Sequence, residues 1–367
     1  MLAVTDDELA RALERVAARG NARKRVLLDD LRRDVFDRLR DFAADEQIGV
    51  GYSVKTNPRN EYLREALRCG FYAETISGGE VERAIANGFT PERIIYNGPN
   101  PATRLEHAPK YIFADSVEAF AANVAHIQGS VSGIRLRPPR IPSHFGVPPS
   151  HIDELIAAVR AGGRNETAVS FQVRQEDYGE YTFRGLVAAV TEVAEHIQRE
   201  SGARIVAFDV GGGRSPQSFD KSAEDGDLRF MRDYVLQRLP DVRDFFIEPG
   251  QELDFSLEAF VAPVLEARRT SEGPEIIIDA GEPDFPYIHQ AAHRLYLLRS
   301  SHIEKLEGGP GRIIGRSCLE ADVVGKNVRL PTDIGTSDAI IIGEVGAYDA
   351  SAHYAFAQGL ISGNTSP

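Results

Sequence analysis

From about residue 48 onward, short apolar runs alternate with amphipathic stretches. The runs cover 48–54, 72–76, 94–97, 111–114, 131–136, 168–173, 205–210 and 244–248. Helical spacing fills most of the gaps, over 58–68, 79–87, 116–126, 149–161 and 183–199. Strands apolar on both faces, separated by helices, mark a parallel sheet covered on both sides. Eight β-α units close a barrel, so this α/β pattern predicts a (β/α)8 TIM-like barrel.

The ends of the chain read differently. Residues 6–45 have a helical period, interrupted by a short strand at 25–28. After about residue 252 helices become rare. Runs at 260–264, 275–279, 295–298, 312–314, 328–330 and 339–342 predict a β-sandwich or β-barrel domain. The expected division is a barrel over 26–252 and a β domain built from 253–367 with the N-terminal helix of 1–25. The charged, Gly-containing segment 221–227 reads as a surface loop.

Composition narrows the function. The chain has 367 residues, a 42% hydrophobic share and a net charge of −13. An acidic surface argues against nucleic acid and anionic membranes as partners, because both need clustered Lys and Arg. The only cysteines, Cys69 and Cys318, allow one disulfide at most, which suits a reducing cytosol. No apolar run approaches the ~20 residues that cross a bilayer. The chain opens without a signal pattern, so a cytoplasmic location is expected.

Barrel enzymes place their chemistry where strands end, and five motifs stand out. Tyr52-Ser53-Val54-Lys55 ends a strand in a lysine, which becomes nucleophilic when desolvated. Gly211-Gly212-Gly213 lets backbone N–H groups approach a phosphate. Glu248-Pro249-Gly250-Gln251 places a carboxylate at a strand end. Cys318 lies between small polar and acidic residues in the β region, and Tyr348 follows Gly346-Ala347. Each has a bland alternative: a snorkelling lysine, a flexible loop, an ordinary turn, a buried thiol, a core tyrosine.

Their order and spacing are more specific. With Glu74-Thr75-Ile76-Ser77-Gly78-Gly79-Glu80, Tyr96-Asn97-Gly98-Pro99, Asp115-Ser116 and Ser143-His144-Phe145-Gly146, they resemble the fold type III decarboxylases that use pyridoxal 5′-phosphate (PLP). That group contains the ornithine, diaminopimelate and carboxynorspermidine enzymes, with alanine racemase as a cousin. The resemblance runs from about Val26 to Gly359. It implies that Lys55 carries PLP through a Schiff base, that Gly211, Gly212, Gly213 and Tyr348 bind its phosphate, and that Glu248 faces the ring nitrogen. Glu74 matches an acid beside the lysine. Cys318 matches a cysteine that protonates the product in the partner subunit's site, which implies a homodimer with shared active sites.

Three departures stand out. Gln172 occupies the place of a ring-stacking His, a phosphate-contacting Ser is missing near Gln175, and Gln251 occupies the place of a phosphate-contacting Arg. Leu319 follows the cysteine where ornithine and diaminopimelate enzymes carry an acid that holds a distal ammonium. With Glu320 and Asp322 it forms the expected substrate-binding set. A modified or conjugated amino acid from a specialised biosynthetic route is the expected substrate. The expected reaction is decarboxylation, with racemisation or epimerisation on the same fold, or a non-catalytic PLP-binding role, as alternatives.

Overall fold

Eight parallel strands close into a barrel because each is buried on both faces. The computed structural model describes residues 1–99, 102–354 and 356, so the expected end of the resemblance at Gly359 lies outside the described residues. The N-terminal region contains helix α1 (Asp6–Ala17), strand β1 (Lys24–Leu27) and helix α2 (Asp29–Asp45). The start of α1 is a capping box: Thr5 Oγ accepts Glu8 N at 3.2 Å, and the Glu8 carboxylate accepts Thr5 N at 2.8 Å.

The barrel then runs β2 (Gly49–Ser53), α3 (Asn60–Arg68), β3 (Tyr72–Thr75), α4 (Gly78–Ala86), β4 (Ile94–Tyr96), β5 (Tyr111–Ala114), α5 (Val117–His126) and β6 (Val131–Arg135). It continues with α6 (Ile152–Gly162), β7 (Glu166–Ser170), α7 (Phe183–Ser201), β8 (Arg204–Asp209), α8 (Pro216–Glu224), α9 (Asp227–Arg238), β9 (Asp244–Ile247) and the single turn α10 (Gln251–Asp254). Closure comes from β9 pairing with β2, Gly49 opposite Phe246 and Val50 opposite Ile247. A Cβ at Gly49 would lie 2.5 Å from the Phe246 ring, so only glycine lets that ring fill the interior. Ile95, Tyr111, Phe113, Ala168, Ala207 and Phe246 pack there.

The end of the barrel where strands begin is closed by a polar cluster. Lys110 Nζ donates to Asp244 at 2.8 Å and to the Tyr72 hydroxyl at 3.0 Å, and the Tyr111 hydroxyl also donates to Asp244. Burial, reinforced by Asp244, pushes the Tyr111 hydroxyl well up. Chemistry is therefore left to the opposite mouth.

The second unit is a curled mixed sheet. Its strands are β10 (Glu258–Thr270), β11 (Gly273–Ile278), β12 (Leu295–Arg299), β13 (His302–Lys305), β14 (Gly311–Ile314), β15 (Val323–Val328) and β16 (Ala339–Gly343). Their order is β13-β12-β16-β10-β11-β14-β15, with β1 also beside β10. Phe260, Ile276, Phe285, Leu297, Ile313 and Ile340 lie in its core.

Several boundaries differ from the sequence expectations. The chain divides at Val35/Phe36 and Leu253/Asp254, with Met1–Leu2 joining the barrel unit. The N-terminal boundary is not at residue 26, because Val26 pairs with Ala259 of β10. The expected loop at 221–227 is mostly helix: Ser215 caps α8, Pro216 opens it, Phe219 is buried beneath it, and only Asp225 and Gly226 separate α8 from α9. The expected strand at 328–330 lies earlier, at β15; Leu330 owes its apolar character to burial outside the ladder. No apolar pattern announces β13, because none of its residues is buried. Among the described residues, no helix is long and apolar enough to cross a membrane.

Candidate active site

Strand register brings the first cluster together. In the parallel pair β2–β3, Ser53 lies opposite Glu74. Ser53 Oγ donates to Glu74 Oε2 at 2.7 Å. Two residues beyond, Lys55 leaves the strand, and its Nζ donates to Ser53 Oγ at 2.7 Å and to Glu74 Oε2 at 2.5 Å. The lysine side chain is 34% exposed and that of Glu74 only 1%, so the amine reaches the mouth from a buried acid.

A second cluster lies beside it, because β9 pairs with β2. Glu248 follows β9, and Asn97 follows β4. Asn97 Nδ2 donates to both Glu248 oxygens, at 3.1 and 3.3 Å. Asp209 ends β8, is fully buried, and accepts Gly211 N at 2.8 Å. Glu74, Asp209 and Glu248 thus crowd a buried space where Lys55 is the nearby cation. Burial pushes Asp209 up to about 6, while hydrogen bonds from Glu248 and Gly211 pull it back. Burial, then the Asp209 charge, then that of Glu74, push Glu248 well above the usual carboxylate range. The pair therefore retains a proton at pH values where ordinary carboxylates have lost theirs.

The glycine run builds the third part. Gly211 and Gly213 have φ of 67° and 88°, in the left-handed region. A Cβ at Gly212 would lie 2.0 Å from the Glu248 carbonyl oxygen. Gln172 Oε1 accepts Gly212 N at 3.2 Å, so the side chain at the expected stacking position is turned onto the loop. Gln175 donates its backbone N–H to Gly213 O at 3.0 Å. Gln251 opens α10 and is half-buried.

Two buried charged groups lie beside this loop: Arg214, which closes the glycine motif and is a candidate to meet a phosphate charge, and Glu252, which carried no signal in the motifs. Glu252, at 1% exposure, accepts Arg214 N at 2.7 Å and Gly250 N at 3.0 Å. Burial pushes its carboxyl up, against the pull of the Arg214 charge and the backbone donors. The Arg214 guanidinium, at 3% exposure, packs 4.4 Å from the Phe183 ring centre and 5.4 Å from that of Phe219. Among the described residues none of its three nitrogens has a hydrogen-bond partner, and the Glu252 carboxylate lies 3.8 Å away. A charged residue beside each turn was the only clue available in the sequence. Arg174, another cation near the loop, is spent on Glu176 at 3.1 Å and Asp177 at 2.8 Å.

The remaining expected residues belong to the β unit. Cys318 is an exposed thiol in the loop between β14 and β15. Leu319 is half-buried and Glu320 exposed. Asp322 is buried and committed to the loop: it accepts Ser317 N at 3.0 Å, Ser317 Oγ at 2.5 Å and Glu282 N at 2.7 Å. These bonds make Asp322 a residue that holds the loop bearing Cys318. Tyr348 has φ of 62°, and its ring centre lies 5.1 Å from that of Tyr287. Asp349, next to it, accepts Tyr287 N at 2.8 Å.

No protein-family model matches the chain. Individual relatives do. A diaminopimelate decarboxylase of Deinococcus radiodurans is 26% identical over 319 residues, covering 82% of this chain and 79% of the relative. A chloroplastic ornithine decarboxylase of Nicotiana glauca is 24% identical over 326 residues, covering 82% and 74%. Among solved structures, the lysine decarboxylase of Selenomonas ruminantium matches with a TM-score of 0.78 at 19% identity, over 98% of this chain and 94% of that one. A further structural neighbour, at TM-score 0.75 and 20% identity over 98% and 94% of the two chains, was solved in complex with PLP.

Proposed function

We propose that this chain, a member of the fold type III PLP-dependent decarboxylases, removes the α-carboxylate of an amino acid or amino-acid conjugate. The observation that carries the reading is the Lys55 amine, held by Ser53 and Glu74 at the mouth that also contains buried Glu248 and the glycine run.

The residues present fit PLP. The glycine run is a cradle that a Cβ would fill, with 2.0 Å left at Gly212. Beside it, the buried Arg214 guanidinium has no hydrogen-bond acceptor among the described residues, as expected next to an anion site. Lys55 would hold the cofactor covalently, the loop N–H groups its phosphate, and Glu248 its ring nitrogen. When bound, PLP supplies the sink for the electron pair left as carbon dioxide departs.

The chain's own groups do the rest. Glu248, whose buried neighbours favour its protonated form, would face the ring nitrogen as a proton donor, and Asn97 would stabilise its carboxylate. An acid facing the ring nitrogen would deepen that electron sink, which favours decarboxylation over racemisation. Glu74 and Ser53 orient the Lys55 amine. Cys318 Sγ returns a proton to the α-carbon as general acid, acting from one subunit of a homodimer into its partner's site. Its exposure supports that role. Leu319, in place of an acid, supports a substrate without a free distal ammonium, such as a conjugate from a specialised pathway.

The test is an absorbance spectrum of the pure protein with borohydride fixation, followed by carbon dioxide release over a panel of amino acids and conjugates. Fixation at Lys55 with release from at least one substrate is expected. A label fixed at another lysine overturns the reading.

A further inference from the structure

The group that ties the glycine run to the Pro249–Gly250 turn is a carboxylate of the chain itself. Glu252 receives one N–H from Arg214, directly after the glycines, and one from Gly250. Converging backbone N–H groups from two strand-end loops form a concave anion site. Here an internal anion already fills it.

A second observation comes from Arg214. Its guanidinium is buried, has no hydrogen-bond acceptor among the described residues, and lies with Nε 3.8 Å from Glu252 Oε1. A charge-assisted hydrogen bond needs about 2.8 Å, so a carboxylate shift of about 1 Å would complete the pair. While Glu252 stays on the amides, Arg214 attracts it only at longer range and rests on the Phe183 and Phe219 rings. A direct hydrogen bond forms once Glu252 leaves the amides.

We propose that Glu252 is an intramolecular competitor for the cofactor's phosphate. On this reading, phosphate binding displaces the Glu252 carboxylate from Arg214 N and Gly250 N, and the Arg214 guanidinium receives it. The inference rests on PLP being the cofactor.

The electrostatics are consistent in both states. Displacing a buried carboxylate without a receiver would leave it unpaired, which is strongly unfavourable. With Arg214 waiting, Glu252 remains paired and the two N–H groups become free for phosphate. Gln251, beside them, is neutral, so the phosphate depends on these amides all the more. Cofactor uptake then involves a local exchange of anions, and Glu252 sets its affinity.

The test compares PLP with pyridoxal, which has the same ring and aldehyde but no phosphate. Both are titrated by absorbance into the cofactor-stripped full chain. Glu252→Gln keeps the side-chain volume and removes the competing charge. It should tighten PLP about tenfold, the scale of one charge-assisted hydrogen bond, and leave pyridoxal nearly unchanged. Arg214→Met should weaken PLP in the wild-type background and do so much less in the Glu252→Gln background. Inorganic phosphate should raise the melting temperature of the Glu252→Gln protein more than that of the wild type, a readout that needs no cofactor. Equal or weaker PLP binding by Glu252→Gln, a matching change for pyridoxal, or equal phosphate shifts would overturn the proposal and leave the cofactor assignment standing. If the wild type fixes neither PLP nor pyridoxal at Lys55 with borohydride, the cofactor assignment fails and the competition falls with it.

Discussion

Asn97 donates its amide to both oxygens of Glu248, at 3.1 and 3.3 Å, reaching from the end of β4 to the end of β9. The contact favours the ionised form of an acid that burial and two neighbouring carboxylates push the other way. Asn97→Ala should therefore raise the Glu248 pKa further. Losing a hydrogen bond to a buried charge costs about 1.5–3 kcal/mol, or about 1–2 pH units. The pH dependence of the bound cofactor's absorbance should move up by that amount. No movement would separate Asn97 from the ring-facing acid.

Asp209 makes a prediction for stability without cofactor. Its pKa is raised to about 6 from an ordinary 3.8. Between those values the folded state binds more protons than the unfolded state, so stability falls as pH rises. The contribution is fully present below the unfolded value and is lost as pH climbs through 6. Asp209→Asn keeps an acceptor for Gly211 N and cannot ionise. Denaturant unfolding of cofactor-stripped protein should show the wild type losing about 2–3 kcal/mol relative to the variant between pH 4 and 7. A constant difference across that window would contradict the raised pKa.

Gln251→Arg adds a cation beside the Pro249–Gly250 turn. A charge-assisted hydrogen bond is about twice as strong as a neutral one, so PLP should bind more tightly by titration. Unchanged affinity would mean that the phosphate charge is already met elsewhere.

Cys318→Ala should retain PLP and still release carbon dioxide. The α-carbon then lacks its proton donor, and the products should shift from amine toward aldehyde and aminated cofactor. Mixing Lys55→Ala and Cys318→Ala chains should restore amine formation at about a quarter of wild-type sites, since random pairing makes half the dimers mixed, each with one intact composite site. No recovery after confirmed subunit exchange would place the thiol's role within its own chain.

The closed end of the barrel offers a control far from the chemistry. Asp244→Ala removes the acceptor shared by Lys110 and Tyr111. Lys110 is half-buried but Tyr111 is fully buried, so losing the acceptor should cost about 2–3 kcal/mol. A fall in the melting temperature with unchanged PLP affinity is expected.

The sequence by itself determined the eight barrel strands, because a strand buried on both faces is apolar throughout and its run stands out from the helices around it. It also marked Lys55, the glycine run and Glu248, since each directly follows such a run. Where burial left no pattern, it was silent or misleading: β13 has no buried residue, and the charges of 221–227 sit on the solvated faces and ends of helices. Only the tertiary structure decided which distant groups meet. Val26 joins β10 through backbone pairing that its own side chain does not encode. Ser53 meets Glu74 because of strand register, and Glu252 meets Arg214 N because two strands end side by side. Asp322, an acid near a candidate catalytic cysteine, proves to hold a loop. Local pattern reports how deeply a residue is buried, whereas pairing across tens or hundreds of residues depends on how the whole barrel and sheet close.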